Sequence, residues 1–132
     1  MKYMLDTDVC ITLIRQQPAR LLGKVTSAQP GEVGLSSITV AELYFGVEHS
    51  QQRERNEAAL VQFLFPFDIS DFDSRAALAY GHIRAELEAK GTPIGALDTL
   101  IAAHALSLKV TLVTHNLREF KRVPELDTEN WL

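Results

Sequence analysis

The chain is predicted to be an α/β protein, a short parallel sheet with helices on both faces. Three observations carry this. Short apolar runs alternate with amphipathic helical stretches along the whole length, the pattern of repeated strand–helix–strand units. One run, Val110-Thr111-Leu112-Val113-Thr114, is β-branched and apolar, as a central strand needs to be. The length of 132 residues, with 46% hydrophobic and 23% charged residues, suits a single domain with its own core.

Tyr3-Met4-Leu5 reads as a short buried strand ending at Asp6. Residues 7–16 form a helix with Val9, Leu13 and Ile14 on its apolar side, and Pro18 opens the next helix at its first position. Gln29-Pro30-Gly31 is a turn, and Val33 to Ser36 a second strand. Residues 38–48 and 51–64 read as helices, with Phe67-Asp68-Ile69 as a third strand. Residues 73–90 make an amphipathic helix with Tyr80, Ile83 and Leu87 on one stripe, stopped by Gly91-Thr92-Pro93. An apolar helix over 96–108 leads into the run at 110–114. No internal repeat or low-complexity segment interrupts this order.

Composition narrows the class. The one cysteine, Cys10, can form no internal disulfide, which fits a reducing cytoplasm, and Cys10 reads as a core residue. No apolar run approaches the ~20 residues that span a bilayer, and Asp6 interrupts any signal-peptide core, so neither membrane nor secretion is expected. The net charge of −4 argues against a general nucleic-acid coat. It is compatible with a nuclease whose site is made of carboxylates, since a bound cation reverses the local sign.

Parallel α/β sheets place their sites beyond the carboxyl ends of the strands, so acids there are the candidates. Asp6 follows the first strand directly; Asp6 or Asp8 could instead cap the next helix, and one can do both. Glu42 lies in Ile38-Thr39-Val40-Ala41-Glu42-Leu43-Tyr44-Phe45-Gly46-Val47, where only 39, 42 and 46 are not apolar, one narrow stripe on a helix expected to be buried nearly all round. A carboxylate in such a place is paired or bound to a cation, unless the stripe faces solvent. Asp98 stands in the first turn of an otherwise apolar helix, where the helix dipole alone would also favour it. Asn116 follows the last strong strand in Thr114-His115-Asn116, with Glu119 close behind; an Asn there is also an ordinary turn residue. Two carboxylates ~4 Å apart repel by roughly 4 kcal/mol at an effective dielectric of ~20. A protein holds them together by raising a pKa or by binding a cation. Oxygen donors suit Mg²⁺ or Mn²⁺, and such a cage is standard machinery for phosphodiester hydrolysis.

Four stretches together resemble the PIN-domain family, and within it the VapC-type toxins. They are Tyr3-Met4-Leu5-Asp6-Thr7-Asp8, Ser37-Ile38-Thr39-Val40-Ala41-Glu42-Leu43, Pro93-Ile94-Gly95 with Asp98-Thr99-Leu100-Ile101-Ala102-Ala103, and Thr114-His115-Asn116 with Glu119-Phe120. The resemblance covers essentially the whole chain, 1–132, as one PIN domain, an α/β/α sandwich in three layers. It implies metal-ligating acids at Asp6, Glu42 and Asp98. Asn116 stands where many members have a fourth acid, and Glu119 matches a further acidic position. Thr114 matches a supporting hydroxyl, and Thr7 and Asp8 lie beside the first acid, Asp8 where relatives often have Asn or Ser. It further implies a Mg²⁺-dependent endoribonuclease, with Mn²⁺ as a substitute, that cuts structured RNA such as tRNA, including the initiator tRNA anticodon stem-loop. A VapB-type antitoxin would block the site and carry the pair to operator DNA, and the toxin would be a homodimer. Asn116 removes one formal charge and weakens the case for a second ion. A metal-activated water attacking phosphorus in line would leave 5′-phosphate and 3′-hydroxyl ends.

Two other readings compete. Met4-Leu5-Asp6-Thr7-Asp8-Val9 also resembles the opening of haloacid-dehalogenase-like phosphatases, with Asp6 as nucleophile and Asp8 as acid/base, but no paired acids follow a later strand and Glu42 would have no role. A non-catalytic PIN module that binds RNA or the antitoxin is the other, with the site impaired at Asn116. His49, His82 and His104 form no metal-binding pair, while His115 is placed to touch RNA beside Asn116. Arg15, Lys24, Arg84, Lys90, Arg118 and Lys121 are candidates for phosphate contacts. Tyr44, Phe45, Phe63, Phe65 and Phe67 crowd one region, either as core or as a dimer face.

Overall fold

A computed structural model describes residues 1–132. Five strands, β1 (Tyr3–Leu5), β2 (Val33–Ser36), β3 (Asp68–Ser70), β4 (Thr111–Val113) and β5 (Thr128–Glu129), form one sheet in the order β3-β2-β1-β4-β5. Every pairing is parallel, with Tyr3 opposite both Val33 and Thr111. All carboxyl ends therefore lie along one edge, and the chain order reverses across β1, the place where such sheets open a crevice.

The helices are α1 (Thr7–Arg15), α2 (Ala19–Ser27), α3 (Ser37–Glu48), α4 (Arg53–Leu64), α5 (Ser74–Ala89), α6 (Ala96–Leu108) and α7 (Leu117–Phe120). Strand side chains alternate between faces, so the sheet feeds two cores. Leu5, Leu35 and Val113 pack with Val9, Leu13, Leu21, Leu43 and Leu60 of α1–α4. Met4 and Leu112 pack with Ile83, Leu87, Ile101, Ala102 and Phe120 of α5–α7. This is the three-layer α/β/α sandwich expected from the strand–helix alternation. No helix is long and apolar enough to cross a membrane.

Local chemistry explains the element ends. Asp73 accepts from the Ala76 N–H at 3.1 Å and starts α5. Gly91, at φ +70°, ends it, with the Gly91 and Thr92 N–H groups returning to Glu88 and Leu87 carbonyls. Gly34 is required where β2 meets β3, because a Cβ there would collide with the Asp68 carbonyl and the Met1 side chain.

Several expectations shift. Pro18 caps α2 from outside rather than opening it, and α4 begins at Arg53 after a turn at 51–52. β3 lies one residue later than expected, because the Phe67 N–H is bonded back to the Leu64 carbonyl at 3.1 Å in the turn that follows α4, with the Phe67 ring 5.1 Å from that of Phe63 between centroids. The helix α3 is not buried all round: Thr39, Leu43 and Val47 form its buried stripe, whereas Phe45 is 65% exposed and Tyr44 also faces out. The aromatic cluster divides accordingly. Phe63 and Phe67 belong to the core, while Phe45 and Phe65, the latter 90% exposed, do not.

Candidate active site

The site grows from the carboxyl end of β1. Asp6 is the N-cap of α1, its Oδ1 accepting from the Thr7 N–H at 2.7 Å. Its Oδ2 accepts from the Thr114 hydroxyl at 2.9 Å, and Thr114 follows β4, the neighbouring strand. Capping and candidate-ligand readings of Asp6 thus describe one geometry. Asp6 is almost fully buried, and its pKa is pushed up to about 6. Burial raises it most, the Thr114 and Thr7 hydrogen bonds oppose this, and the charges of Asp8 and Glu42 add to the rise. Asp8 itself is exposed on the first turn of α1.

Thr7 reaches a second acid. Its hydroxyl lies 2.7 Å from Glu42 Oε1 and 3.1 Å from Thr39 Oγ1. Glu42 projects from α3, whose start is set by Ser36, the last residue of β2, accepting from the Ile38 N–H at 3.0 Å. Asp98 stands in the first turn of α6, half-buried, with its pKa pushed up to about 7. Burial is the largest cause, followed by the charges of Asp6 and Glu119, a hydrogen bond with Glu119, and the charge of Glu42. Gly95 lies so close that a Cβ there would meet Asp98 Oδ2 at 3.4 Å.

Glu119 is more than a surface acid. Its Oε1 accepts from the Gly95 N–H at 3.1 Å, and its Oε2 from the Asn116 side-chain amide. Asn116 is exposed and holds Glu119, while its backbone N–H donates to Thr114 Oγ1 at 3.0 Å. Asp6, Glu42, Asp98 and Glu119 thus face one another electrostatically, held by Thr7, Thr114 and Asn116. No three acidic, histidine or cysteine side chains are gathered at ligating distance of one point; Glu42 is turned to Thr7 and Glu119 to Gly95 and Asn116. The donor set nevertheless fits a hard cation: it is all oxygen, and none of the four ion pairs, which involve Arg53, Arg84 and Lys90, touches these acids.

The remaining residues divide clearly. Cys10 is fully buried, and burial raises its thiol pKa far above the ordinary value, so it is core. Arg84 pairs with Glu88, Lys90 with Glu86, and Lys24 lies over Trp131, leaving Arg15, Arg118 and Lys121 without an acidic partner. His115 Nε2 is the one buried side-chain polar atom without a hydrogen bond. Sequence reasoning missed the buried polar tie at the ends of β2 and β3. There His104 Nδ1 is 2.7 Å from Ser36 Oγ, and its Nε2 3.2 Å from Ser70 Oγ. A buried histidine on an apolar helix face carries no signal of its partners in the sequence.

A parallel α/β/α sandwich with an all-oxygen acid cluster beyond β1 and β4 defines the class of PIN-fold proteins. The PIN domain model matches residues 3–126, and the chain belongs to the PIN-domain family. It is 46% identical over 132 residues to ribonuclease VapC2 of Haemophilus influenzae, covering 100% of this chain and 99% of that one. It is 44% identical over 131 residues to the tRNA(fMet)-specific endonuclease VapC of Shigella flexneri, covering 99% and 98%. In the crystal structure of DNA-bound VapBC from Salmonella typhimurium, a chain 42% identical superposes with a TM-score of 0.96, over 100% of this chain and 99% of that one. The haloacid-dehalogenase-like alternative falls with this match.

Proposed function

We propose that this chain is the toxin of a type II toxin–antitoxin pair, a Mg²⁺-dependent endoribonuclease working as one PIN domain in the cytoplasm. Its substrate is structured RNA, first of all tRNA, and the names of its relatives favour initiator tRNA. Cleavage would stop translation and growth. A VapB-type antitoxin neutralises it and brings the complex to operator DNA, a reading supported by the VapBC neighbours, and the active toxin is a homodimer.

The observation that carries the catalytic reading is the acid cluster at the sheet edge, which has no cationic side chain paired to it and in which burial, with the neighbouring acids adding to it, raises the pKa of both Asp6 and Asp98. Asp6, Glu42 and Asp98 would hold Mg²⁺, or Mn²⁺ in its place, with Glu119 and Asn116 beside them. A bound divalent cation supplies a water of lowered pKa and neutralises the scissile phosphate. The chain's own residues do the positioning: Thr7 and Thr114 fix both Asp6 oxygens, and the Gly95 N–H fixes Glu119. Arg15, Arg118 and Lys121 are free to meet flanking phosphates.

The test incubates antitoxin-free protein with total tRNA, Mg²⁺ or Mn²⁺, and an EDTA control. Metal-dependent cleavage leaving 5′-phosphate ends, lost in Asp98→Asn, is expected. A 2′,3′-cyclic phosphate would contradict the mechanism. RNA binding without cleavage of tRNA or ribosomal RNA at any metal level would instead favour the non-catalytic module.

A further inference from the structure

We infer that Thr39 is a positioning residue for Glu42, acting through the Thr7 hydroxyl. The inference rests on the proposed reading of Glu42 as a cation ligand. Thr39 is fully buried, and its only side-chain hydrogen bond is to Thr7 Oγ1 at 3.1 Å. The Thr7 hydroxyl has one proton and two oxygen neighbours, Thr39 Oγ1 and Glu42 Oε1. A carboxylate accepts only, and its bond at 2.7 Å is the shorter, so the Thr7 proton goes to Glu42. Thr39 must then donate to Thr7 Oγ1, because two acceptors facing each other would leave a buried hydroxyl unsatisfied. The hydrogen bonds therefore run in one direction, Thr39 to Thr7 to Glu42.

This direction matters for geometry. Thr7 is also the residue whose backbone N–H holds Asp6 Oδ1. One residue thus fixes two acids, by its N–H and by its hydroxyl, and Thr39 holds that hydroxyl turned toward Glu42. Thr39 and Glu42 lie three apart on α3, on neighbouring positions of one face. The arrangement repeats on the other side of Asp6. There the Asn116 N–H donates to Thr114 Oγ1 at 3.0 Å, and the Thr114 hydroxyl donates to Asp6 Oδ2 at 2.9 Å. In both places a threonine hydroxyl accepts from behind and donates to a carboxylate in front. Without Thr39 the Thr7 hydroxyl is free to rotate away, and Glu42 loses the bond that preorganises it.

The test is calorimetric titration of Mn²⁺ into the full chain without RNA, together with melting in EDTA and steady-state cleavage. Thr39→Val keeps the shape and removes the hydroxyl; Thr39→Ser keeps the hydroxyl. We expect Thr39→Val to weaken Mn²⁺ binding about tenfold and lower kcat with KM for RNA unchanged. Thr39→Ser should restore Mn²⁺ affinity even where its melting temperature is the lower of the two. In a Thr7→Val background, Thr39→Val should change Mn²⁺ affinity less than about twofold, since the relay is already broken. Where Thr39→Val does not fold, Thr39→Ala takes its place with the same expectation. Wild-type Mn²⁺ affinity in the hydroxyl-free variant, or no recovery in Thr39→Ser, overturns the inference alone. A wild-type chain that binds no Mn²⁺ overturns both this inference and the cation reading beneath it.

Discussion

At the carboxyl ends of β2 and β3, His104 is buried with a serine hydroxyl on each ring nitrogen; beyond the carboxyl ends of β1 and β4, four acids share one electrostatic field with no cationic side chain paired to them. Both clusters are polar, reach into the protein interior, and are held in part by hydroxyl groups. The first is closed. Each ring nitrogen has a serine hydroxyl as its partner, so a neutral imidazole, donating from one nitrogen and accepting at the other, is satisfied on both sides, while Ser36 also accepts from the Ile38 N–H. Burial lowers the His104 pKa, which keeps the ring neutral and the count complete. The second cluster is open. Its hydrogen bonds orient the carboxylates but do not cancel their charge, and the pKa values of Asp6 and Asp98 are raised first by burial and then by the neighbouring acids. A satisfied buried network stabilises; an unsatisfied charge surplus marks a place for a ligand.

Substitutions should separate the two. The largest effect is expected for Asp98→Asn: a loss of RNA cleavage of about a thousandfold or more, with unchanged folding by circular dichroism. A variant retaining a tenth of wild-type turnover would remove Asp98 from the site. His104→Leu should behave in the opposite way. Leaving Ser36 and Ser70 without their partner costs roughly 1–3 kcal/mol, read as lower resistance to urea. Cleavage by the folded fraction should stay within about threefold. A loss of cleavage in stable, folded His104→Leu would break the contrast.

The pH dependence sharpens it further. Asp6 and Asp98 rise from 3.8 to about 6 and about 7 on folding. The metal-free folded state therefore holds protons that the unfolded chain has released. The resulting stability is present below about pH 4 and is lost as pH rises through about 7. Asp98→Asn escapes its part of that loss, so its melting temperature in EDTA should gain on wild type steadily from pH 4 to 7.5. Parallel curves would contradict the assignment. The smallest effect is expected for Asn116→Asp. It adds an acid beside Glu119 in place of a donor, so Mn²⁺ should bind a few-fold more tightly while the EDTA form melts lower. Unchanged values of both would show that position 116 lies outside the charge field.

Much of this was legible in the amino-acid order. Alternating apolar runs announce four of the strands, and Asp6 and Asn116 stand out because they come just after two of them, whereas Thr114 was marked only by the family resemblance. The fifth strand, Thr128–Glu129, and the four-residue α7 are too short to carry any periodic signal. The exposure of Tyr44 and Phe45 was hidden for another reason: an apolar pattern tells what can be buried, and only the packing of α3 on α1 and α4 decides what is. The acids were visible one at a time, but their shared field depends on strand order, which brings residues 6, 42, 98 and 119 to one edge. Thr39 and His104 were legible only as polar letters in apolar helices, since a hydroxyl's partner is a fact of three dimensions.

In the proposed function a divalent cation completes the open cluster. The direct measurement is the melting temperature of wild type and Asp98→Asn at pH 7.5, in EDTA and in saturating Mn²⁺. A ligand that binds only the folded state stabilises it in proportion to the logarithm of its concentration over Kd. Mn²⁺ is expected to raise the wild-type melting temperature by several degrees and to leave Asp98→Asn nearly unmoved. An equal rise in both, or no rise in wild type, would contradict it.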